Sequence, residues 1–256
     1  MNWAKPGSGL RIGGHRGAAG EAPENTVAGF ELAARAGVDY VELDVQLAAD
    51  GCAMVFHDND LDRTTDGRGP LAGRSSGDLL RLDAGSWFDP RFRDERIPTL
   101  DGFLAWLDRR PGLGATIEAK GPGSGAAIAG ALATARARGD CSICSFSEAE
   151  LRSAAAIDPT IPRMLIVDRD DPDTDLIRAA QAAAATAVNV PIAWLTVADV
   201  RRLHDAGLLV AGGTVDDATG IGRCLELAVD AVDSNQPSTT VAARDRLARI
   251  DAPRER

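Results

Sequence analysis

Short apolar runs alternate with longer segments of helical periodicity along the chain after Pro98. The apolar runs predict strands at residues 114–119, 141–146, 162–167, 187–190, 208–215 and 231–232. The periodic segments predict helices at residues 99–109, 124–138, 148–157, 173–185, 197–206 and 221–228, and the charged tail predicts a terminal helix at 242–256. Strands that alternate with helices across short loops are typical of a parallel sheet with right-handed crossovers.

The first part of the chain begins with the same unit. A strand at residues 10–14 precedes a helix that Asn25 or Thr26 is suited to cap and that Gly37 is suited to end. The next apolar runs, at 40–47 and 52–57, flank Asp50-Gly51, a dipeptide typical of tight hairpin turns. We therefore predict a hairpin.

The predicted pairing within this hairpin brings chemistry-bearing residues together. A two-residue turn at Asp50-Gly51 places Ala49 opposite Cys52 and, further out, Asp44 opposite His57. Glu42 and Asp44 are two positions apart, so their side chains point to the same face of the strand. The hairpin is thus expected to collect two carboxylates and an imidazole on one side.

Counting strands leads to a fold class. Nine strands are predicted, and the second arm of the hairpin must be antiparallel, because a tight turn cannot join parallel neighbours. The other eight predict a (β/α)8 TIM barrel, as a single domain over residues 1–256. The irregular segment at about 59–98, with a short helix near 76–82, is predicted to be an insertion after the second strand and its hairpin.

Composition and charge narrow the function classes. The chain has 256 residues, of which 45% are hydrophobic and 26% charged, as in ordinary globular proteins. Its formal net charge of −10 argues against nucleic acid as a partner. No apolar run is long enough to span a membrane, and the N-terminus lacks the apolar segment of a secretory signal, so a cytoplasmic location is expected. The four cysteines are expected to be reduced thiols, since the C-x-x-C spacing at 141–144 has no partner pair for a zinc site.

Candidate site residues cluster at the C-terminal ends of predicted strands, where barrel enzymes carry their active sites. They are His15, Arg16, Glu42, Asp44, His57, Glu118 and Lys120. Converging carboxylates need a cation between them, and oxygen-only ligands suit Mg²⁺ or Ca²⁺. Two histidines can serve as general acid and base, and the arginine and lysine suit a phosphoryl group. This combination indicates phosphoester chemistry.

At these residues the sequence resembles the glycerophosphodiester phosphodiesterase family. The matching motifs are His15-Arg16-Gly17, Pro23-Glu24-Asn25-Thr26, Glu42-Leu43-Asp44, Asp50-Gly51, His57-Asp58 with Arg63-Thr64-Thr65, Asp83-Ala84-Gly85-Ser86-Trp87-Phe88, Ile97-Pro98-Thr99-Leu100, Ile117-Glu118-Ala119-Lys120 and Ser145-Phe146. They occur in order over about residues 10–146. The family fold is a TIM-like barrel with an insertion after the second histidine.

The resemblance implies roles for individual residues. Glu42, Asp44 and Glu118 would bind one divalent metal, Mg²⁺ or Ca²⁺ with Mn²⁺ as a further option, and His15 and His57 would be the catalytic pair. Substrate or phosphate contacts would come from Arg16, Lys120 and Trp87. The implied reaction, in lipid and glycerol metabolism, is hydrolysis of a small-molecule glycerophosphodiester to sn-glycerol 3-phosphate and an alcohol. Either histidine could be the base.

The second half of the chain departs from the family pattern. A Trp-Thr-Val-Asn-like run and a Thr-Asp pair are usual there, whereas this chain has Gly213-Thr214-Val215-Asp216 and Ser234-Asn235. The change to Gly213 removes an aromatic wall, and the change to Asn235 removes a charge. These departures leave open a specialised headgroup or a longer lysolipid substrate.

Alternatives follow from the same residues. One is lysophospholipase D-like hydrolysis, with Trp87, Phe88 and Phe92 lining an apolar groove, and another is a non-catalytic barrel that binds glycerol phosphates. Lys120 could instead be only an ion-pair partner of Glu118, and Trp87 could be packing of the insertion. His204, on a predicted helix, is expected to be a solvent-exposed surface residue. No pattern predicts the headgroup, the physiological metal or the oligomeric state.

Overall fold

The computed structural model describes residues 7, 9–167 and 175–251. The strands are β1 (Arg11–Gly14), β2 (Tyr40–Leu47), β3 (Ala53–Val55), β4 (Gly114–Ala119), β5 (Cys141–Ser145), β6 (Arg163–Ile166), β7 (Ala187–Asn189), β8 (Leu209–Gly213) and β9 (Ala231–Ser234). The helices are α1 (Val27–Ala36), α2 (Ser76–Leu79), α3 (Leu100–Leu107), α4 (Ser124–Leu132), α5 (Glu148–Ile157), α6 (Leu176–Ala182), α7 (Val197–Asp205), α8 (Ala218–Leu227) and α9 (Pro237–Asp251).

The sheet closes into the predicted (β/α)8 TIM barrel. The strand order is β1-β9-β8-β7-β6-β5-β4-β2, all neighbours are parallel, and the pairing of β1 with β2 closes the ring. β3 pairs antiparallel with β2 and lies outside the ring, so the prediction that the hairpin arm is an appended strand is confirmed.

The hairpin register differs from the prediction by one residue. Val45 pairs with Val55, and Ala48 donates its backbone N–H to the carbonyl of Cys52 at 2.9 Å, which leaves a three-residue loop. Gly51 adopts a left-handed φ of +80° at the end of that loop, as in turns with a glycine bulge. The residue paired with Asp44 is therefore Phe56, whose N–H donates to the Asp44 carbonyl at 2.9 Å, and His57 lies one residue further along.

Helix ends follow local capping chemistry. Thr26 caps α1 by accepting the N–H of Gly29, and Gly37 ends it with a φ of +84°. The helix predicted at 124–138 ends already at Leu132, after which residues Arg136–Asp140 form a 3₁₀ helix. The first two residues of the helix predicted at 173–185 and the last five of the terminal helix lie outside the described residues.

The main core lies between the barrel and its helices, where Ile12, Val41, Leu43 and Ile117 are fully buried. A smaller interior cluster includes Tyr40, whose ring crosses directly over Gly13. A Cβ atom at Gly13 would lie 2.2 Å from the Tyr40 ring, so only glycine fits. The tyrosine thus fills the lower barrel, and the space above it at the strand C-termini stays open.

The segment at 59–98 has a small core of its own. Leu61, Leu71 and Leu79 are buried with Met54 and Ile97, so this segment packs on the hairpin. No helix in the described parts of the chain is long and apolar enough to cross a membrane.

Candidate active site

A cavity of about 550 Å³ opens at the C-terminal ends of the barrel strands. Its lining consists of His15, Arg16, Glu42, His57, Glu118, Lys120, Cys144, Phe146, Ile166, Val167, Asn189, Pro191, Gly213, Thr214 and Asp233. Asp44 lies just behind this surface with 1% of its area exposed. The structure therefore brings all the predicted site residues together except Trp87.

Three buried carboxylates form the centre of the site. Glu42, Asp44 and Glu118 each offer an oxygen, and these oxygens all lie within 4.8 Å of one another. The barrel register explains the grouping, because Asp44 on β2 is directly paired with Glu118 on β4. Glu42 also accepts the backbone N–H of Arg16 at 2.9 Å.

Two cations neutralise part of this charge. Lys120 Nζ lies 3.2 Å from Glu118 Oε1 and 3.5 Å from Asp44 Oδ1. Arg16 approaches Asp44 from the other side, with Nε 3.4 Å from Oδ2. Lys120 is thus an ion-pair partner of Glu118 and also lines the cavity, so the two interpretations from the sequence are compatible.

The loop before α1 holds Asp44 and Arg16 in place. Asn25 has a left-handed φ of +56° and donates from Nδ2 to Asp44 Oδ2 at 2.8 Å, so it binds the carboxylate while Thr26 caps the helix. Glu24 accepts from Arg16 at 2.9 Å. The motif Pro23-Glu24-Asn25-Thr26 is therefore a support for the acidic centre.

The pKa values of the three carboxylates differ because their neighbours differ. Burial opposes ionisation of Asp44, yet the charges of Arg16 and Lys120 lower its pKa. Burial and the neighbouring Asp44 carboxylate raise the pKa of Glu42 well above its usual range. The same two causes raise the pKa of Glu118 to about 7.

This donor set fits a divalent cation. It contains only oxygen ligands, which hard cations such as Mg²⁺ and Ca²⁺ prefer. Burial raises the pKa values of Glu42 and Glu118, and so does the negative charge that two cations leave unneutralised among three carboxylates. A divalent ion held by Glu42, Asp44 and Glu118 would relieve that repulsion.

His57 is oriented by a charged network. Its Nδ1 lies 2.6 Å from Asp58 Oδ1, and Asp58 in turn accepts two hydrogen bonds from Arg63 at 2.6 and 2.9 Å. Arg63 also donates twice to Glu24, at 2.7 and 2.8 Å. Arg63 thereby ties the 59–98 segment to the loop before α1. Burial lowers the pKa of His57, partly offset by Asp44 and Asp58.

His15 is oriented by a neutral residue. Its Nδ1 lies 2.7 Å from Asn235 Oδ1, and its backbone N–H donates to the Ser234 carbonyl at 2.9 Å. Its Nε2 faces the acidic centre at 4.0 Å from Glu42 Oε2. The two histidines therefore line the same cavity with unlike anchors.

Sequence reasoning missed the polar floor of the cavity. Asp233 on β9 is 5% exposed, and Asn189 donates to it at 3.4 Å. Burial raises the pKa of Asp233, while His15, Tyr40 and Asn189 act in the opposite direction. The available signal was an aspartate directly after the apolar pair of the short strand predicted at 231–232, at the end of a barrel strand where site residues lie.

Trp87 is not among the residues that line this cavity. Its indole N–H donates to the Ala84 carbonyl at 2.9 Å, and its ring meets Phe88 edge-on at 5.6 Å. The aromatic side chain at the cavity is Phe146, which follows β5 and is 54% exposed. His204 is not a free surface residue as expected, since its Nε2 lies 2.8 Å from Asp230 Oδ2.

Comparisons with known proteins agree with this geometry. The chain is 33% identical over 231 residues to YhdW of Bacillus subtilis (strain 168), covering 87% of this chain and 93% of that protein. The crystal structure of glycerophosphodiester phosphodiesterase from Agrobacterium tumefaciens str. C58 superposes with a TM-score of 0.81 at 33% identity, covering 91% of this chain and 99% of that one. An Oleispira antarctica phosphodiesterase in complex with the product sn-glycerol-3-phosphate superposes with a TM-score of 0.85 at 29% identity, covering 92% and 96%.

The model of one family covers most of the chain. It is that of the glycerophosphoryl diester phosphodiesterase family, and it matches residues 15–239, a range that starts at His15 and includes Asn235. The match therefore extends through the second half, where the motifs depart from the usual pattern. The chain belongs to the glycerophosphoryl diester phosphodiesterase family.

Proposed function

We propose that the chain hydrolyses glycerophosphodiesters to sn-glycerol 3-phosphate and an alcohol, with a divalent cation at Glu42, Asp44 and Glu118 and with His15 and His57 as the acid–base pair. The observation that carries the proposal is the convergence of these five side chains at one cavity. Such a cation would supply positive charge to the phosphoryl oxygens. Mg²⁺ and Ca²⁺ are the proposed ions.

The anchors of the two histidines support different roles. His57 contacts a carboxylate, Asp58, which offsets part of the burial that lowers the pKa of His57 and so supports the imidazolium, the form that can give up a proton. His15 contacts the neutral Asn235. We assign His15 as the base that takes the proton of the attacking glycerol hydroxyl, and His57 as the acid that protonates the leaving alcohol. Attack by that hydroxyl would form a cyclic phosphodiester, which water then opens.

Arg16 and Lys120 are proposed to contact the phosphate. Both line the cavity, and both already face Asp44, so their positions are fixed before substrate arrives. Fixed cations aimed at developing charge are an efficient form of electrostatic catalysis. A role for Trp87 in substrate binding stays a prediction, as does the cytoplasmic location.

The test is a coupled assay for released sn-glycerol 3-phosphate. Glycerophosphocholine, glycerophosphoethanolamine, glycerophosphoglycerol and lysophosphatidylcholine are compared in EDTA and after addition of Mg²⁺, Ca²⁺ or Mn²⁺. Release from a glycerophosphodiester that needs the ion and is lost in His57→Ala is the expected result. His204→Ala, which removes a histidine outside the cavity, should keep activity. Failure of every glycerophosphodiester with every ion would refute the proposal. Lysophosphatidylcholine is followed by its released choline, because its other product is lysophosphatidic acid rather than sn-glycerol 3-phosphate, and choline release from this substrate alone would favour lysophospholipase D-like hydrolysis.

A further inference from the structure

Three side chains that follow three adjacent strands are joined by hydrogen bonds beside the cavity. His15 follows β1, Asn235 follows β9 and Asp216 follows β8. Asn235 Oδ1 lies 2.7 Å from His15 Nδ1, and Asn235 Nδ2 donates to Asp216 Oδ2 at 2.9 Å. Asn235, one of the departures from the family pattern, is therefore in direct contact with both His15 and Asp216.

Asp216 determines which way the Asn235 amide faces. Its Oδ1 accepts the backbone N–H of Asn235 at 2.7 Å and the hydroxyl of Ser234 at 3.2 Å, which fixes the carboxylate. A carboxylate only accepts hydrogen bonds, so the amide must turn its NH₂ group towards Asp216. The amide oxygen is then left for His15.

The orientation of the amide determines the tautomer of the imidazole. Because Asn235 presents an oxygen, His15 Nδ1 must be the donor and carry the proton. In the neutral ring Nε2 is then an acceptor, and Nε2 is the atom that faces Glu42 across the cavity. The other two histidines contact carboxylates directly, His57 through Nδ1 and His204 through Nε2.

We propose that Asp216 is a positioning residue that fixes the Nδ1-protonated tautomer of His15 through the amide of Asn235. The effect on catalysis rests on the proposed function, whereas the tautomer itself can be measured without any activity.

Asp216→Asn is the sharpest test, because it changes no shape and reverses the amide. The new side chain keeps its oxygen on the Asn235 N–H and the Ser234 hydroxyl, so its NH₂ group faces Asn235. Asn235 must then turn its oxygen to position 216 and its NH₂ to His15, which forces the Nε2-protonated tautomer. The double variant Asp216→Asn with Asn235→Asp restores an acceptor for Nδ1 and should restore the original tautomer.

The tautomers are distinguished by long-range ¹H–¹⁵N spectra of the full chain with Mg²⁺ at about pH 8.5, above the ordinary histidine pKa. The chain has three histidines, so His→Gln variants assign the signals. The expected result is Nδ1–H for His15 in the natural chain and in the double variant, and Nε2–H in Asp216→Asn. His204 is the internal control, since Asp230 keeps its Nε2 protonated in all three proteins.

Kinetics provide the second measurement. Asp216→Asn should lower kcat by about 10²-fold with little change in KM, and the double variant should recover most of the loss. An Nε2–H tautomer for His15 in the natural chain would overturn the inference, as would an unchanged tautomer in Asp216→Asn. A changed tautomer with unchanged kcat would overturn the positioning role. If Asp216→Asn does not fold, an Nε2–H tautomer of His15 in the natural chain or in the double variant would still overturn the inference.

Discussion

The cavity has two walls that hold their carboxylates in different ways. The first, built by β2 and β4, carries Glu42, Asp44 and Glu118 with Lys120 and Arg16 beside them. The second is built by β7, β8 and β9 with the loops that follow β8 and β9. It carries two aspartates that accept hydrogen bonds from asparagine amides, Asp233 from Asn189 and Asp216 from Asn235. Ion pairs dominate the first wall, and hydrogen bonds to amides dominate the second.

The difference shows how one barrel divides its tasks. The three carboxylates of the first wall carry more negative charge than Arg16 and Lys120 neutralise, which suits the wall to bind a metal ion. Hydrogen bonds on the second wall set the direction of His15 without adding a cation. Changes in the first wall should therefore affect ion binding and rate together, whereas changes in the second should affect orientation.

The largest expected effect follows from Glu42→Gln. It keeps the shape of the side chain and removes one ionic ligand, so activity should fall by about 10³-fold. Steady-state assays at increasing Mg²⁺ measure the loss. Glu226→Gln, in an exposed pair with Arg223, is the matched control and should change nothing. Full activity of Glu42→Gln at low Mg²⁺ would contradict the role of the first wall.

Glu118→Gln should change the pH dependence of stability. The folded pKa of Glu118, about 7, lies above the usual 4.5, so its contribution to stability is present below pH 4.5 and is lost as pH rises to about 7. In EDTA, the natural chain should lose up to about 3 kcal/mol more than the variant over this range. Denaturant unfolding at several pH values measures it, and parallel curves would rule it out.

Arg63→Ala tests the network that orients His57. The change leaves Asp58 without its two donors and should lower kcat about tenfold through misplacement of the imidazole. Arg63→Lys should not recover the full rate, because lysine cannot donate in the same fork geometry. Arg68→Ala, a surface change in the same segment, is the control. An unchanged kcat in Arg63→Ala would separate this network from catalysis.

Asp233→Asn should have the smallest effect. Because burial raises the pKa of Asp233, its ionised form destabilises the fold as pH rises. The neutral variant should therefore melt a few degrees higher at about pH 8 and at the same temperature near pH 4. Thermal unfolding in EDTA measures the difference, and a lower melting temperature at pH 8 would show that the charge is compensated.

The first wall could be predicted from the sequence because its residues lie close together along one strand or at the end of the neighbouring strand. Glu42 and Asp44 are two positions apart on one strand, and Glu118 ends the next parallel strand, so alternation and barrel geometry place them together. The hairpin register was wrong by one residue, because Asp-Gly occurs in two-residue and in three-residue loops.

The second wall could not be predicted because its contacts join separate loops. Asp216 and Asn235 are 19 positions apart, and from the sequence Asn235 was seen only as the loss of a charge relative to the family pattern. Only the structure shows that the amide and the carboxylate are partners, so the charge missing at Asn235 is present at Asp216. Asn25 was similarly considered only as one of two candidate helix caps, with Thr26, because its contact with Asp44 depends on its left-handed backbone.

The metal centre itself is most directly tested by calorimetric titration of Mg²⁺ or Ca²⁺ into EDTA-stripped protein. At about pH 6.5, Glu118 should be partly protonated, because burial and the nearby Asp44 carboxylate raise its pKa to about 7. Binding of one ion should therefore release protons, seen as a heat that depends on the buffer. No binding, or binding without proton release, would contradict a metal centre formed by Glu42, Asp44 and Glu118.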